Sequence, residues 1–445
     1  MKYAITHCYT DQNKGDAAII VATTQLIRKL DTDAEIAMFS TYGPNDIKFK
    51  TEHEFISEFS EAIHPGMFYQ PQPMFFGLDV SRVIHFSWIA FKFLMLLVSK
   101  NKYFLSLFFS SVEKKGIHEF LSSDIVISKG GSYITTQNKS LRQSFSLITM
   151  LYPFILAKRY NKKMVIFSQS LGPVAGKLNR LLMKYSLSSL SKIYLREAEC
   201  LKEYQEIAEL KSHVDISIIP DTAFYLDSVE NFEKYDIKID KNNINVGITV
   251  VDHAFKYIES NDEKVQKIDN YKQAILDLID HLVKTYGAKI HIFPQVIVAN
   301  SHLGHNDVRI SKEIESICEA KGLAGSVKYH FKDYNPMQLR AMYREMDFFI
   351  GTRLHSVIFS LSQCVPSINI SYHGTKSRGI LGSISGFEDN VISIDDITSE
   401  ILIEKVETLM ELKDELVTTL ALENNRLSLE LEQAMAEVIR ASNPV

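Results

Sequence analysis

The chain has 445 residues, of which 46% are hydrophobic and 23% are charged, so it can form two or three globular domains with substantial cores. Its formal net charge of -5 argues against general nucleic-acid binding, which requires a basic surface. The four cysteines form no C-x-x-C pair and the histidines are scattered, so neither a metal site nor a disulfide framework is predicted.

The first residues form an apolar, β-prone segment, with none of the features of a secretory signal. A reducing, cytoplasmic setting is therefore expected. From here on, β-prone segments alternate with segments of helical periodicity. Strands are predicted at 2–9, 35–40, 124–128, 163–170, 192–195, 216–219, 245–250, 288–295, 326–331, 347–350 and 367–372. Helices are predicted at 16–30, 140–160, 176–190, 266–285, 307–322, 336–345, 352–361 and 398–440.

This alternation is typical of parallel, doubly wound α/β sheets. The chain is predicted to form an N-terminal lobe at 1–228 and a C-terminal lobe at 243–397, followed by a helical segment at 398–445. The charged, asparagine-rich stretch 226–243 is interpreted as the linker between the lobes.

An apolar insertion at about 64–112 interrupts the N-terminal lobe. Its segment 83–109 is rich in aromatic residues but contains Lys92, and its unbroken apolar run is shorter than the roughly 20 residues that cross a bilayer. Three interpretations stay open: a buried helix, a helix at the membrane surface, or an interface with a partner.

Polar bends follow several predicted strands, where ligands bind in α/β sheets. The first bend contains Asn13, Gly15 and Asp16, and Asp16 can be either a ligand-binding residue or a simple helix cap. The bend after 124–128 contains Gly130 and Gly131, which allow a ligand to approach the backbone closely. It lacks the later glycine of a dinucleotide fingerprint, so a nicotinamide site is not expected.

The most informative stretch follows the predicted strand 347–350. The chain turns at Gly351 and enters a helix, with Thr352 as the predicted N-cap. Arg353 and His355 then fall in the first turn, where free N–H groups and the helix dipole favour an anion. Arginine adds a two-pronged donor and histidine a group that exchanges a proton near neutral pH. The alternative is a buried Arg–Asp pair beside a core histidine.

Seven short pieces, in this order, resemble the polysaccharide pyruvyl transferase family. They are Asn13-Lys14-Gly15-Asp16, Gly130-Gly131-Ser132, Gln169-Ser170-Leu171-Gly172-Pro173, Leu195-Arg196-Glu197, Pro220-Asp221-Thr222-Ala223-Phe224, Arg353-Leu354-His355, and Tyr372 through Lys376. The resemblance implies two Rossmann-like lobes facing across a cleft, as in GT-B glycosyltransferases. It also implies transfer of the enolpyruvyl unit of phosphoenolpyruvate onto two hydroxyls of a sugar, with loss of phosphate and without a further cofactor.

Residue by residue, the resemblance assigns donor binding to Arg353 and Lys376, with Arg196 reaching from the other lobe, and proton donation to His355. Asp16 and Asp221 are candidate bases toward the sugar. The other matched positions assigned to substrate binding are Leu354, Asn13, Gly15, Gly130, Gly131 and Gln169. The acceptor is expected to be a glycan, and a lipid-linked one if 83–109 contacts the inner face of a membrane. The oligomeric state is left open.

Two other functions use the same features. A GT-B glycosyltransferase would hold the diphosphate of a nucleotide sugar with the same arginine and lysine. A non-catalytic scaffold of a polysaccharide assembly would use segment 83–109 and leave Arg353 and His355 without a chemical role.

Overall fold

A computed structural model describes residues 1–68, 79–99, 107–190, 192–201, 204, 214–229, 239–252, 255, 260–297, 306–372 and 375–442. The chain divides into two compact units. Unit 1 comprises Met1–Asp11, Ile19–Thr222 and Glu430–Val445, and unit 2 comprises Gln12–Ala18 and Ala223–Leu429.

Unit 1 contains a parallel sheet. Its strands are β1 (Lys2–Cys8), β2 (Glu35–Ser40), β3 (Ala62–His64), β4 (Ile125–Ser128), β5 (Gly131–Thr136), β6 (Lys163–Val174), β7 (Lys192–Leu195) and β8 (Asp215–Ile218). Their order is β3-β2-β1-β4-β6-β7-β8, with β5 paired to β6. The helices are α1 (Lys14–Leu30), α2 (Ile47–Thr51), α3 (Glu54–Ser57), α4 (Asp79–Val98), α5 (Ser111–Ser122), α6 (Leu141–Arg159) and α7 (Lys177–Leu187), and the first turn of α1 groups with unit 2.

Unit 2 contains a second parallel sheet, in the order β11-β10-β9-β12-β13-β14. Its strands are β9 (Asn245–Thr249), β10 (Lys289–Ile292), β11 (Val327–Tyr329), β12 (Phe348–Gly351), β13 (Ser367–Ser371) and β14 (Val391–Ser393). The helices are α8 (Asn261–Tyr286), α9 (Val308–Ala320), α10 (Pro336–Tyr343), α11 (Leu354–Leu361), α12 (Thr375–Leu381), α13 (Ser399–Glu411) and α14 (Lys413–Arg440), the last of which is divided between the units after Leu429. A short 3-10 helix covers Thr222–Tyr225.

The central strands of both sheets are buried along almost their whole length, as expected for parallel sheets covered by helices on both faces. Local signals set the helix ends. The side chain of Asn335 accepts a hydrogen bond from the backbone of Gln338 and Pro336 occupies the first turn, so a capping box begins α10. Gly287 adopts the left-handed conformation that ends α8.

The predicted fold class of two parallel-sheet α/β domains is confirmed, and most strands begin and end within two residues of the prediction. Several elements were not predicted: β3, β5, β14, α2, α3, α5 and α12. The predicted strand 163–170 continues to Val174 because β5 pairs with its end. The predicted helix 398–440 is two helices, since it breaks at Leu412.

The units differ from the predicted domains in three places, one of which is the division of the predicted segment 398–445 between the units after Leu429. Residues 12–18 group with unit 2 although they lie near the N-terminus, and the units meet in sequence at Thr222 and Ala223, just before the predicted linker. Residues 230–238 of that linker lie outside the described part of the chain.

The apolar segment is helical where the structure describes it, as α4. Ile89 and Leu96 are buried in the core of unit 1, while Trp88 and Leu94 are exposed. None of the helices described is both long and apolar enough to cross a membrane. Residues 100–106 of the segment lie outside the described part of the chain.

Candidate active site

The strand order of unit 2 reverses between β9 and β12, and ligands of doubly wound sheets bind at this switch point, beyond the carboxyl ends of the strands. Gly351, the last residue of β12, is in register with Thr249, the last residue of β9. Arg353 and His355 follow directly. The structure therefore places the most informative stretch of the sequence at the switch point of unit 2.

A sharp turn connects β12 to α11. A Cβ atom on Gly351 would lie 2.4 Å from Val357 Cγ2 and 2.6 Å from Ser356 Oγ, so only glycine fits. The prediction that Thr352 is the N-cap is wrong, because Arg353 occupies that position with extended backbone angles. The hydroxyl of Thr352 is hydrogen-bonded to the phenol oxygen of Tyr271 at 2.7 Å instead, so it does not cap the helix.

Arg353 lies in a buried ion pair. Its Nη2 donates to Asp307 Oδ1 at 2.5 Å and its Nε to Asp307 Oδ2 at 3.1 Å, while Nη1 donates to the Tyr372 hydroxyl at 3.1 Å. Burial opposes the charge on the guanidinium, but the Asp307 carboxylate outweighs it and the pKa of Arg353 is raised. Arg353 therefore stays cationic.

Asp307 is the principal site residue that the sequence did not indicate. It is 1% exposed, and its Oδ2 also accepts hydrogen bonds from the backbone N–H groups of Gln295 and Val296, at 3.1 and 2.9 Å. These bonds fix the carboxylate and therefore the plane of the guanidinium of Arg353. The buried Arg–Asp pair, which was the alternative interpretation of the sequence, is present. It orients an arginine that can also bind an anion.

The N-terminal bend is part of the same unit. Asn13 forms an antiparallel bridge with Val296, and the N–H of Lys14 donates to the carbonyl of Gln295 at 3.2 Å. The bend is thus held to the segment that holds Asp307. Within it, Asn13 Oδ1 accepts from the N–H of Gly15 at 3.2 Å and Asn13 Nδ2 donates to Asp16 Oδ2 at 2.7 Å. Asn13, rather than Asp16, caps α1.

Gly15 lies directly on the ring of His355. A Cβ atom at this position would be 2.3 Å from His355 Nδ1 and 2.5 Å from His355 Cγ. The absence of a side chain at residue 15 is therefore what admits the imidazole. Unit 2 thus brings together five predicted site residues from opposite ends of the sequence: Asn13, Gly15, Asp16, Arg353 and His355.

The two remaining predicted residues of unit 2 are Leu354 and Lys376. Leu354, between Arg353 and His355 in sequence, is buried in the first turn of α11 and anchors that turn in the core. Lys376 is half-buried in the first turn of α12, a few residues after Tyr372. The intervening residues 373–374 lie outside the described part of the chain.

Unit 1 holds a second buried ionic cluster, at the carboxyl ends of β6, β7 and β8. Arg196 Nη1 donates to Asp221 Oδ2 at 2.6 Å, and its Nε donates to Ser170 Oγ at 2.6 Å and to Glu197 Oε2 at 3.2 Å. Burial disfavours the charge on Arg196, but Asp221 and Glu197 raise its pKa above the ordinary value. Asp221 thus serves Arg196 as a counter-ion.

The predicted glycines and Gln169 lie beside this cluster. Gly131 is in register with Gln169, and the N–H of Arg196 donates to the carbonyl of Gln169. A Cβ atom on Gly130 would lie 2.5 Å from the carbonyl oxygen of Ser168, so this glycine permits close strand packing. Within the described part of the chain, the buried Nε2 of Gln169 has no hydrogen-bond partner.

Two residues at the switch point of unit 1, between β1 and β4, were not predicted. Lys129 is fully buried directly after β4. His7, at the end of β1, is stacked on Tyr133 with ring centroids 4.6 Å apart, and burial lowers the pKa of its imidazole to about 3. A lysine at the end of an apolar strand was visible in the sequence, but its burial depends on the strand order, which the sequence did not reveal.

The chemistry available to unit 2 is anion binding beside an imidazole. It provides a permanently cationic arginine, a helix N-terminus and His355 in one place, with the Asp16 carboxylate in the adjoining bend. No group of acidic, histidine or cysteine side chains among the described residues has the arrangement of a metal site.

Comparison with solved structures defines the class of fold. The chain is similar to Anabaena Alr3699/HepE, solved with UDP, at 12% identity over 99% of this chain and 100% of that one, with a TM-score of 0.53. It is also similar to the UDP-GlcNAc 2-epimerase from Neisseria meningitidis solved with UDP-GlcNAc (12% identity, 99% and 100% covered, TM-score 0.53) and to that from Methanocaldococcus jannaschii (12%, 92% and 92%, TM-score 0.51). The fold is therefore GT-B-like.

Comparison with family models is more specific. The model of the polysaccharide pyruvyl transferase family matches residues 13–374, which include all seven motif pieces apart from the last two residues of the final one. The chain belongs to this family. No curated protein matches it.

Proposed function

We propose that the protein transfers the enolpyruvyl unit of phosphoenolpyruvate to two hydroxyls of one sugar in a polysaccharide or its lipid-linked precursor, which forms a cyclic pyruvate ketal and releases phosphate. The family supports a pyruvyl transfer to a polysaccharide. The observation that carries the choice of site is that His355 and Arg353 lie at the switch point of unit 2, with the conformation of each fixed by its neighbours.

The proposed donor suits these residues. Phosphoenolpyruvate carries a carboxylate and a phosphate, and an arginine can bind either with two parallel hydrogen bonds. Among the described residues, the hydrogen bonds of Arg353 use three of its five N–H donors. The others, together with the start of α11 and Lys376, are assigned to the donor. The assignment of Arg196 to donor binding stays a prediction from the sequence.

The proposed reaction begins with a proton transfer. Protonated His355 gives its proton to the methylene carbon of phosphoenolpyruvate, which becomes a methyl group while positive charge develops at C2. One sugar hydroxyl forms a C–O bond to C2 and loses its proton, and the C2–O bond to phosphate breaks. The second hydroxyl then attacks C2 and loses its proton, which closes the ring. One of the two released protons restores His355 and the other neutralises the departing phosphate.

A base near the sugar would accept the hydroxyl protons. Asp16 is the better candidate, because its carboxylate lies in the bend that packs on His355. Asp221 is paired with a buried arginine, so its negative charge is already committed.

Release of phosphate from phosphoenolpyruvate, measured with and without glycan acceptors, tests the proposal. Acceptor-dependent release is expected from the natural protein, and His355→Ala should lower kcat by about 10²–10⁴-fold without changing the unfolding temperature. Near-normal turnover in this variant would show that His355 is not the proton donor. Turnover of a UDP-sugar, with none of phosphoenolpyruvate, would favour the glycosyltransferase instead.

A further inference from the structure

We infer that unit 1 docks on a lipid bilayer with anionic headgroups, through a surface formed by the outward faces of α4, α6 and α7. We call this surface the docking face. Its exposed apolar side chains are Ile84, Trp88, Phe91, Leu94, Val98, Leu141, Phe145, Leu178, Leu181 and Tyr185. This proposal does not depend on the reaction proposed above.

On α4 one row of apolar residues faces outward, while Ile89 and Leu96 face the core and the charged Lys92 is largely buried. Lys92 Nζ donates to Glu113 Oε1 at 2.9 Å, and both side chains are largely buried against α5. Ile84 and Val98, near the two ends of α4, are 65% and 67% exposed. In α4, therefore, the exposed side consists of aromatic and aliphatic residues. This distinguishes α4 both from a fully buried helix and from an amphipathic surface helix, whose exposed side is polar.

The same inversion occurs on α7. Its buried residues include the polar Asn179 and Ser186, which are 2% and 0% exposed, whereas Leu178 and Leu181 are 65% and 63% exposed and Tyr185 is exposed beside them. These three residues recur at helical spacing, so they form one outward face. A helix surrounded by water is less stable when its leucines are exposed and an asparagine is buried. Such an exposed apolar surface is typical of a site that contacts a protein or a membrane.

The three helices lie side by side, which makes the docking face continuous. Phe86 on α4 contacts Phe145 on α6 with ring centroids 4.5 Å apart, and the Tyr160 hydroxyl, just after α6, donates to the Leu96 carbonyl at 2.8 Å. At the other flank, Lys158 near the end of α6 lies 3.8 Å from the ring centroid of Tyr185 on α7.

The charge of this region selects an anionic bilayer as the occupant. Between Asp124 and Glu197 the sequence contains twelve lysines and arginines and no acidic residue, in a chain whose net charge is -5. Exposed members of this set flank the apolar residues on α6 and α7, namely Lys139, Arg142, Arg159, Lys177 and Arg180. Apolar side chains entering the acyl boundary, with basic residues at the level of the headgroups, are typical of helices that lie in a membrane interface.

Other occupants fit less well. A nucleic acid would pair with the basic residues but would leave the leucines in water. A second copy docking through the same face would bring two positive surfaces together, which is unfavourable. None of the described helices can cross a bilayer, so the contact is interfacial.

Flotation with vesicles tests the proposal. The whole protein is mixed with vesicles of phosphatidylcholine alone, or with about one third phosphatidylglycerol, at low and high salt. We expect the protein to float with the anionic vesicles only, and less at high salt because the charges are screened. The double variant Leu178→Ser/Leu181→Ser should bind the anionic vesicles at least about tenfold more weakly, since two leucines no longer enter the apolar phase.

The matched control is Leu422→Ser/Leu429→Ser, which changes two exposed leucines of α14 and should float like the natural chain. Both variants should keep the natural unfolding temperature, because the four leucines are exposed. Failure of the natural protein to float, or equal flotation of Leu178→Ser/Leu181→Ser, would overturn the proposal. A smaller particle mass of that variant without vesicles would also overturn it, since a second copy would then cover the face.

Discussion

Gly15 leaves the space that the ring of His355 occupies. Because a Cβ atom at residue 15 would come within 2.3 Å of His355 Nδ1, Gly15→Ala must displace the imidazole or the bend. We expect kcat/KM for pyruvyl transfer to fall by about 100-fold, as is typical when a catalytic group is misplaced by an ångström. Steady-state kinetics with phosphoenolpyruvate would measure this loss.

Gly325→Ala is the matched control for this prediction. Gly325 is in the same unit, and a Cβ atom there meets no atom within 4 Å. Its kinetics should equal those of the natural chain. If Gly15→Ala were equally active, the packing of Gly15 on His355 would have no part in catalysis.

Arg353 and Asp307 compensate each other's charge. Arg353→Met alone leaves the buried Asp307 carboxylate without its cation, which typically costs about 3–5 kcal/mol of stability. In Arg353→Met/Asp307→Asn both charges are gone and the oxygen that accepts from Gln295 and Val296 remains. The double variant should therefore recover most of the unfolding free energy in urea, but no activity.

This pair of variants separates folding from function. A double variant that regained turnover would show that Arg353 acts only as a structural partner of Asp307. Equal stability of the single and double variants would instead contradict the buried ion pair.

The sequence predicts Arg353 and His355 as site residues but not the residues that surround them. Arg353 and His355 follow an apolar strand and a glycine, which is a local pattern. Asp307 lies 46 residues earlier, just before α9, where an aspartate looks like any helix cap. The contact between Gly15 and His355 depends on which unit the N-terminal bend joins, and no periodicity carries that information.

At the scale of elements, an ion pair contributes to the orientation of α4. Lys92 is largely buried and Glu113 is buried, and Glu113 also closes the capping box that begins α5. Glu113→Ala should therefore lower the unfolding free energy by about 3–5 kcal/mol, because it leaves the Lys92 ammonium uncompensated. Urea unfolding followed by circular dichroism would measure this change.

Lys114→Ala, an exposed position on the same helix, should change stability by less than about 0.5 kcal/mol. A Glu113→Ala variant as stable as Lys114→Ala would mean that Lys92 reaches water. In that case the ion pair would not hold α4 with its apolar residues exposed, which would count against the docking face.

Long strands and helices were predictable because burial on both faces, or on one stripe, imposes a pattern on the sequence. Most of the elements that were missed are short. β3 has three residues, and β5 carries polar side chains and pairs with the part of β6 that lies beyond the predicted strand. The outward orientation of the apolar residues of α4 also escaped prediction, since composition does not tell which face of a helix packs.

At the scale of the molecule, buried histidines couple stability to pH. Burial lowers the pKa of His7 and His330 to about 3 and that of His291 to about 4, below the value of about 6.5 in the unfolded chain. The unfolded state then binds protons first, so stability is lost as the pH falls below about 6.5. Each histidine contributes up to about 1.4 kcal/mol per pH unit.

We expect a clearly lower unfolding free energy at pH 5.5 than at pH 7.5. The ring of His330 is stacked on that of Phe293, and its Nε2 lies 3.0 Å from His291 Nδ1. His330→Phe should reduce the pH dependence. The control is His118→Gln at an exposed position, which should leave the pH dependence of stability unchanged. A natural chain equally stable at both pH values would contradict the burial of neutral imidazoles.

Mass spectrometry of the acceptor identifies the group that the protein transfers. Glycan acceptors are incubated with the purified protein and either phosphoenolpyruvate or a set of UDP-sugars. With phosphoenolpyruvate the acceptor should gain the mass of one pyruvate ketal, and with His355→Ala it should gain nothing. An acceptor that gains a sugar from a UDP-sugar, and nothing from phosphoenolpyruvate, would contradict the proposed pyruvyl transfer.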